Sequence, residues 1–245
     1  MVIYVLYFTL AILIGFLAAL LGLGGGFLIV PCLTFLGVPI HHAVGTSSAI
    51  IIFSSLSAII EYRKHGHINY KAGLLIALPS VVGAYIGAWA TMLINASILK
   101  IIFGIALVIV AIRMIKHDVN IEKKLKEWVI PFGGFFAGLV SGLLGVGGGI
   151  INVPFLAYLG LPMHSAVATS SFSIFFTSIA SATKHYMLGN IEPIWIVLFA
   201  PGVIIGAQAG AKFAKRMRAK KLKEAFSVVL VFLAISMILK ANHLL

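Results

Sequence analysis

Two glycine runs carry the strongest chemical signal in this sequence. They are Gly22-Leu23-Gly24-Gly25-Gly26 and Gly145-Val146-Gly147-Gly148-Gly149. Each precedes a short apolar stretch, 27–36 or 150–159. Successive glycines leave backbone N–H groups bare and approachable. Each run also opens onto a helix N-terminus, which carries about half a positive charge. Together these make an anion site that needs no Arg or Lys. The alternative is close helix packing through small residues. Two runs at matched positions, before two half-length helices, favour the site. Neither is a Walker A loop, because no Lys-Ser/Thr follows. A dinucleotide fingerprint would need a strand–turn–helix unit.

Two hydroxyl triplets follow, Thr46-Ser47-Ser48 and Thr169-Ser170-Ser171. Near a helix start, such residues either cap N–H groups or offer hydroxyl donors to a ligand. Glycine loops and triplets together could ring an oxyanion from two sides. Asn152 is polar where the first copy has Ile29; it either orients the substrate or makes an interhelical hydrogen bond. No carboxylate lies in any apolar segment, whereas cation carriers and proton pumps usually keep one there. The candidate proton carriers are therefore histidines, His41, His42 and His164, with His185 nearer a loop; His41 and His164 occupy matched positions after Pro39 and Pro162. The alternative places them in loop caps or at the membrane interface.

A metal site built from His41, His42 and His164 fits poorly, since adjacent histidines do not share a helix face. Ser141 lacks the first glycine of a G-x-S-x-G elbow. The single cysteine, Cys32, reads as a packing residue. No catalytic residue, metal or cofactor is expected.

The elements that position these groups follow from composition. The 245 residues are 61% hydrophobic and 10% charged, too apolar for a soluble globule. Lys and Arg total 18 against 6 acids. Yet 1–60, 72–99, 128–183 and 193–211 hold no Asp, Glu, Lys or Arg. Charges confined to the intervals mark basic loops between membrane spans, not a nucleic-acid surface. The chain reads as all-α, a polytopic transmembrane bundle.

It is also one unit used twice. Shifted by 123 residues, positions 20–48 match 143–171 at 18 of 29 places. The expected organisation is a first repeat over 1–115, a charged cytoplasmic linker over 116–127 and a second repeat over 128–245. Apolar segments are expected at 2–21, 27–36, 42–60, 72–94 and 98–115. Their partners are 129–144, 150–159, 165–183, 194–211 and 224–239. Loop 61–71 is basic and its counterpart 184–192 is not; loop 93–97 is uncharged and its counterpart at 215–221 is basic. If basic loops face the cytoplasm, the repeats are inverted, each with a glycine-rich broken or re-entrant segment. Gly83 and Gly87, Gly138 and Gly142, and Gly202, Gly206 and Gly210 recur at four-residue spacing, the mark of a packing face.

The doubled G-x-G-G-G-x4-P block, each copy followed by G-x-P and H-x-A-V-[GA]-T-S-S, resembles the sulfite exporter TauE/SafE family of membrane permeases. The resemblance covers essentially the whole chain. It implies transport of small sulfur-containing anions, such as sulfite or organosulfonates, across the cytoplasmic membrane. It places the family signatures on Gly24 to Gly26, Gly147 to Gly149, Thr46 to Ser48 and Thr169 to Ser171. The expected partners are that anion and the lipid bilayer. The expected mechanism is alternating access around a midplane anion site. A passive anion channel is the alternative, and a His-liganded metal-cation transporter the weaker one.

Overall fold

A computed structural model describes residues 2–116, 129–214 and 231–239. The charged segment expected to link the halves, and the basic cluster at 215–221, lie outside these residues. Among the described residues every regular element is helical. The first half runs α1 (Val2–Leu21), α2 (Gly26–Phe35), α3 (Ile40–Arg63), α4 (Tyr70–Ala90) and α5 (Ala96–Lys116). The second runs α6 (Ile130–Leu144), α7 (Gly149–Tyr158), α8 (Met163–Met187) and α9 (Pro193–Phe213), with a last helical segment, α10, at 231–239. Among the described residues, five helical stretches are long and apolar enough to cross a bilayer: Tyr4–Leu21, Ile40–Arg63, Tyr70–Leu93, Met163–Met187 and Pro193–Phe213. Large apolar side chains such as Leu78, Val197 and Phe132 stand outward, a surface that water would penalise and lipid accepts. The chain is an integral membrane protein.

Two boundaries differ from the apolar pattern. Helix α3 continues past residue 60 because Tyr62 is buried and Glu61 is held by Lys64 at 2.8 Å. The segment expected over 72–94 ends its α-helix at Ala90 and closes with a 3-10 turn, Thr91–Leu93.

Glycine stereochemistry sets the breaks. Gly22, Gly24 and Gly25 have φ of 66°, 84° and 91°; Gly145, Gly147 and Gly148 have 64°, 85° and 75°. A side chain strains that left-handed region. Gly22 ends α1 by the usual left-handed device, with Leu23 N–H donating to the Ala18 carbonyl at 3.1 Å. Gly37 and Gly160 end α2 and α7 in the same way, and Pro39 and Pro162 then cap the start of α3 and α8.

The helices of the two halves interleave through matched contacts. Parallel α4 and α6 meet in register: a methyl group on Gly134, Gly138 or Gly142 would overlap the carbonyl of Ile76, Ser80 or Ala84. Parallel α1 and α9 repeat this, with Gly206 and Gly210 against the carbonyls of Ile12 and Phe16. The small-residue spacing is therefore a packing face, where backbones approach without side chains between them. Corresponding helices α3 and α8 run antiparallel, since Ser48 near the start of one bonds Ser181 near the end of the other at 2.9 Å. Helix α5 packs outside, its Gly104 against Ala234 and Ile238 of α10.

Candidate functional site

The two glycine loops lie back to back in the molecular interior. Cα of Gly147 lies 3.3 Å from where a side chain on Gly24 would begin, and each is the other's repeat equivalent. Contact between a residue and its own counterpart marks the local two-fold relation. Gly26, at the start of α2, abuts the Gly145 carbonyl; Gly149, at the start of α7, abuts the Gly22 carbonyl. Gly25 and Gly148 are the N-cap residues, and neither cap carries a side-chain hydrogen bond. The Leu28 and Ile151 N–H groups donate to the Gly25 and Gly148 carbonyls, and the N–H groups before them, at the very start of each helix, have no intrahelical acceptor. Two partial positive charges thus face the interior with no acid between them, and an anion would relieve them.

The hydroxyl triplets are brought to these loops, where Ser47 and Ser170 bond backbone in this conformation. They do not cap, since the N-caps are Pro39 and Pro162 and the triplets sit in the second and third turns. Ser47 donates to the Gly145 carbonyl at 2.8 Å, and Ser170 donates to the Gly22 carbonyl at 3.1 Å. Thr46 accepts from the Glu192 N–H at 2.9 Å, and Thr169 from the Asn69 N–H at 3.0 Å. Ser48 and Ser171 turn back to the carbonyls of Val44 and Val167. In this conformation the triplets clasp each half to the loops of the other. A donor shell for an anion would draw on loop N–H groups first.

Unspent polar capacity lies elsewhere. Asn152, 1% exposed, donates from Nδ2 to Ser173 at 3.5 Å while its Oδ1 has no partner. Ser178 Oγ and His185 Nδ1 are also buried without partners. An unpaired polar atom in a low-dielectric interior is costly, about 1–3 kcal/mol, so these three groups ask for a ligand or water. Asn152 was legible from the repeat mismatch. Ser178 was not singled out by pattern, and His185 reads as nearer a loop. A signal for them existed in the four-residue hydroxyl row of Thr169, Ser173, Thr177 and Ser181, which marks a polar face of α8.

The histidines expected to carry protons separate. His41 Nε2 bonds the carbonyls of Thr91 and Ile94 at 3.1 and 2.9 Å, beyond the end of α4. His164 is exposed, its ring 6.2 Å from that of His67. The deeply buried imidazole is His185, whose Nε2 meets the Gly142 carbonyl at 3.1 Å. His42 goes to Glu192 at 2.9 Å. Among the described residues no group of three His, Cys, Asp or Glu could hold a metal ion. Cys32 packs against the core around α2.

The sulfite exporter TauE/SafE family matches residues 7–237. The chain belongs to that family. Relatives span its length: a probable membrane transporter of Bacillus subtilis is 30% identical over 96% of this chain and 97% of its own. A probable membrane transporter of Methanocaldococcus jannaschii is 33% identical at the same coverage of both chains. A plant relative, sulfite exporter TauE/SafE family protein 6 of Arabidopsis thaliana, is 30% identical over 42% of this chain and 24% of its own. No solved structure matches the chain. As a TauE/SafE member it is a membrane transporter, and its kinship with proteins named as transporters points away from an enzyme.

Proposed function

We propose that this protein exports small sulfur-containing oxyanions, such as sulfite or organosulfonates, across the cytoplasmic membrane by alternating access. The substrate site is the meeting point of the two glycine loops. One observation carries this reading: the N-termini of α2 and α7 converge on the contact between Gly24 and Gly147, with glycine cradles and no acidic counter-charge. Loop N–H groups of Gly24 to Gly26 and Gly147 to Gly149 hold the oxyanion, and Asn152 Nδ2 orients it. Thr46, Ser47, Ser48, Thr169, Ser170 and Ser171 join the shell as the clasps exchange partners between conformations.

The repeats lie inverted in the bilayer on this reading, with α2 and α7 as re-entrant half-helices. Ten residues rise about 15 Å, half the hydrocarbon thickness. The antiparallel pairing of α3 with α8 supports that orientation. The close apposition of the loops favours a carrier over an open channel. Membrane potential favours anion exit by about 2.3 kcal/mol per charge per 100 mV. Protons enter through His41 and His164 if coupling is present.

The test is sulfite and methanesulfonate flux into proteoliposomes of the purified protein, with and without a pH gradient. Saturable flux with counterflow is the expected result. Ohmic, non-saturating current would replace the carrier with a channel, and absence of flux for any sulfur oxyanion would overturn the substrate class.

A further inference from the structure

The 123-residue shift also maps the loop at 66–70 onto 189–193, and the turn at 161–165 onto 38–42. The molecule therefore has two matched mouths, and they differ. The first mouth is an open cleft of about 440 Å³, lined by His67, Asn69, Leu161 and Ser165 among others. A smaller cavity of about 110 Å³ adjoins it, sharing Asn69 and Leu161 and adding Lys71. At the second mouth the same four places hold Asn190, Glu192, Val38 and His42. There His42 Nδ1 meets Glu192 Oε1 at 2.9 Å.

The difference rests on where one side chain turns. Asn69 spends its Oδ1 on its own helix, accepting from the Ala72 N–H at 3.0 Å as the N-cap of α4. Glu192 holds the equivalent N-cap of α9 but makes no side-chain cap bond there. Its carboxylate crosses to His42 instead. At the first mouth Ser165 stands where His42 would reach.

Both mouths lead to the glycine loops through the same relay. Asn69 N–H rests on Thr169, next to Ser170, which holds the Gly22 carbonyl. Glu192 N–H rests on Thr46, next to Ser47, which holds the Gly145 carbonyl. Charge separates them further. His67 lines the first mouth with the His164 ring 6.2 Å away, Lys71 lines the adjoining cavity, and exposed Arg63 and Lys64 end the helix that leads into this loop. The acid there, Glu61, is paired to Lys64 at 2.8 Å and lies 3.4 Å from His65. The second mouth presents Glu192, and its neighbour Lys184 lies over the Tyr85 ring at 5.0 Å.

We propose that the cleft beneath His67 and Asn69 is a binding site that admits the oxyanion in this conformation, and that the His42–Glu192 pair is the latch shutting the opposite mouth. The identity of the anion rests on the proposed transport function; the unequal mouths do not. Basic loops favour the cytoplasmic side, so the open mouth faces inward, as an exporter awaiting cargo requires.

Thiol labelling tests both parts. The chain has one cysteine, Cys32, so a Cys32→Ser background reports a single introduced thiol. Leu161→Cys probes the open mouth, and Val38→Cys, at a position only 7% exposed, probes its counterpart. With a small sulfonated methanethiosulfonate reagent, Leu161→Cys should react at least about tenfold faster. Adding Glu192→Gln, or independently His42→Ala, should bring the Val38→Cys rate within about threefold of it and should not raise the Leu161→Cys rate, because alternating access opens one mouth at the expense of the other. Unchanged burial of Val38→Cys in both latch variants, or equal rates without them, would overturn the latch. Methanesulfonate, which does not attack the reagent, should slow labelling of Leu161→Cys, and tetramethylammonium should not. No protection in a protein that still shows saturable flux would overturn the binding cleft alone; no protection and no flux would remove the transport reading with it.

Discussion

Tyr62 and His185 occupy the same place in the two repeats and do the same thing with different chemistry. The phenol donates to the Ala19 carbonyl at 2.7 Å, and the imidazole meets the Gly142 carbonyl at 3.1 Å. Tyr62 is then satisfied. His185 keeps a second nitrogen, Nδ1, buried and unpartnered. Ile29 and Asn152 differ in the same sense: one fills space, the other leaves an amide oxygen unspent. The scaffold contacts are duplicated, whereas the unfinished polar chemistry gathers in the second repeat. The two repeats share their packing and differ in the polar groups they leave unpaired.

The first way to break the comparison is to attack what is duplicated. A methyl group on Gly26 would overlap the Gly145 carbonyl, and one on Gly149 would overlap the Gly22 carbonyl. Backbone cannot give way as a side chain can, so Gly26→Ala and Gly149→Ala should each cost about 3 kcal/mol or more. Both should lose folded protein in thermal unfolding monitored in detergent. Gly37→Ala, with open space around it and a φ of 91°, should cost only about 1 kcal/mol. Survival of one loop variant beside collapse of the other would show that the two repeats do not bear load equally.

The second target is what is not duplicated. Asn152→Ile makes the second repeat resemble the first. It removes a buried unpartnered oxygen, so the melting temperature should hold or rise, while sulfite flux should fall at least about tenfold, or 1.4 kcal/mol. Ile29→Asn does the reverse at the matched site, burying an amide without a partner at a cost of about 1–3 kcal/mol. A melting-point drop in Asn152→Ile with unchanged flux would assign Asn152 to structure alone.

These contrasts explain how far the sequence could be read. The helices, the breaks and the duplication were legible because they are periodic: glycine triplets, prolines after short apolar runs and four-residue glycine spacing each have a local steric cause. The partners of Ser47, Ser170, Thr46 and Thr169 were not legible. Each bonds backbone at least 98 residues away in sequence, and nothing local to Thr-Ser-Ser distinguishes a ligand shell from a clasp. His185 reads as nearer a loop because the apolar stretch ends at 183, whereas its helix runs on to Met187 and carries it inside.

A smaller effect sharpens the Tyr62–His185 contrast. Tyr62→Phe removes one of two bonds to the Ala19 carbonyl, which keeps the Gly22 N–H at 3.2 Å, and should cost about 1 kcal/mol. His185→Phe removes the bond to the Gly142 carbonyl but also the orphaned Nδ1, so its cost should be smaller. Paired melting curves decide it. A larger loss for His185→Phe would mean that Nδ1 is satisfied in the membrane by a bound water or substrate.

The smallest single effects belong to the serine clasps, and their coupling is the informative quantity. Ser47→Ala and Ser170→Ala each remove one hydroxyl bond to a loop carbonyl, about 0.5–1.5 kcal/mol apiece. The carbonyls they release belong to Gly145 and Gly22, in loops that touch at Gly24 and Gly147. Groups in contact couple by about 0.5–3 kcal/mol, whereas distant ones add within about 0.5. Melting of the double variant should therefore depart from the sum of the singles. Strict additivity would mean that each loop answers only to its own clasp, and a substrate held between them would then have to move two independent half-sites instead of one.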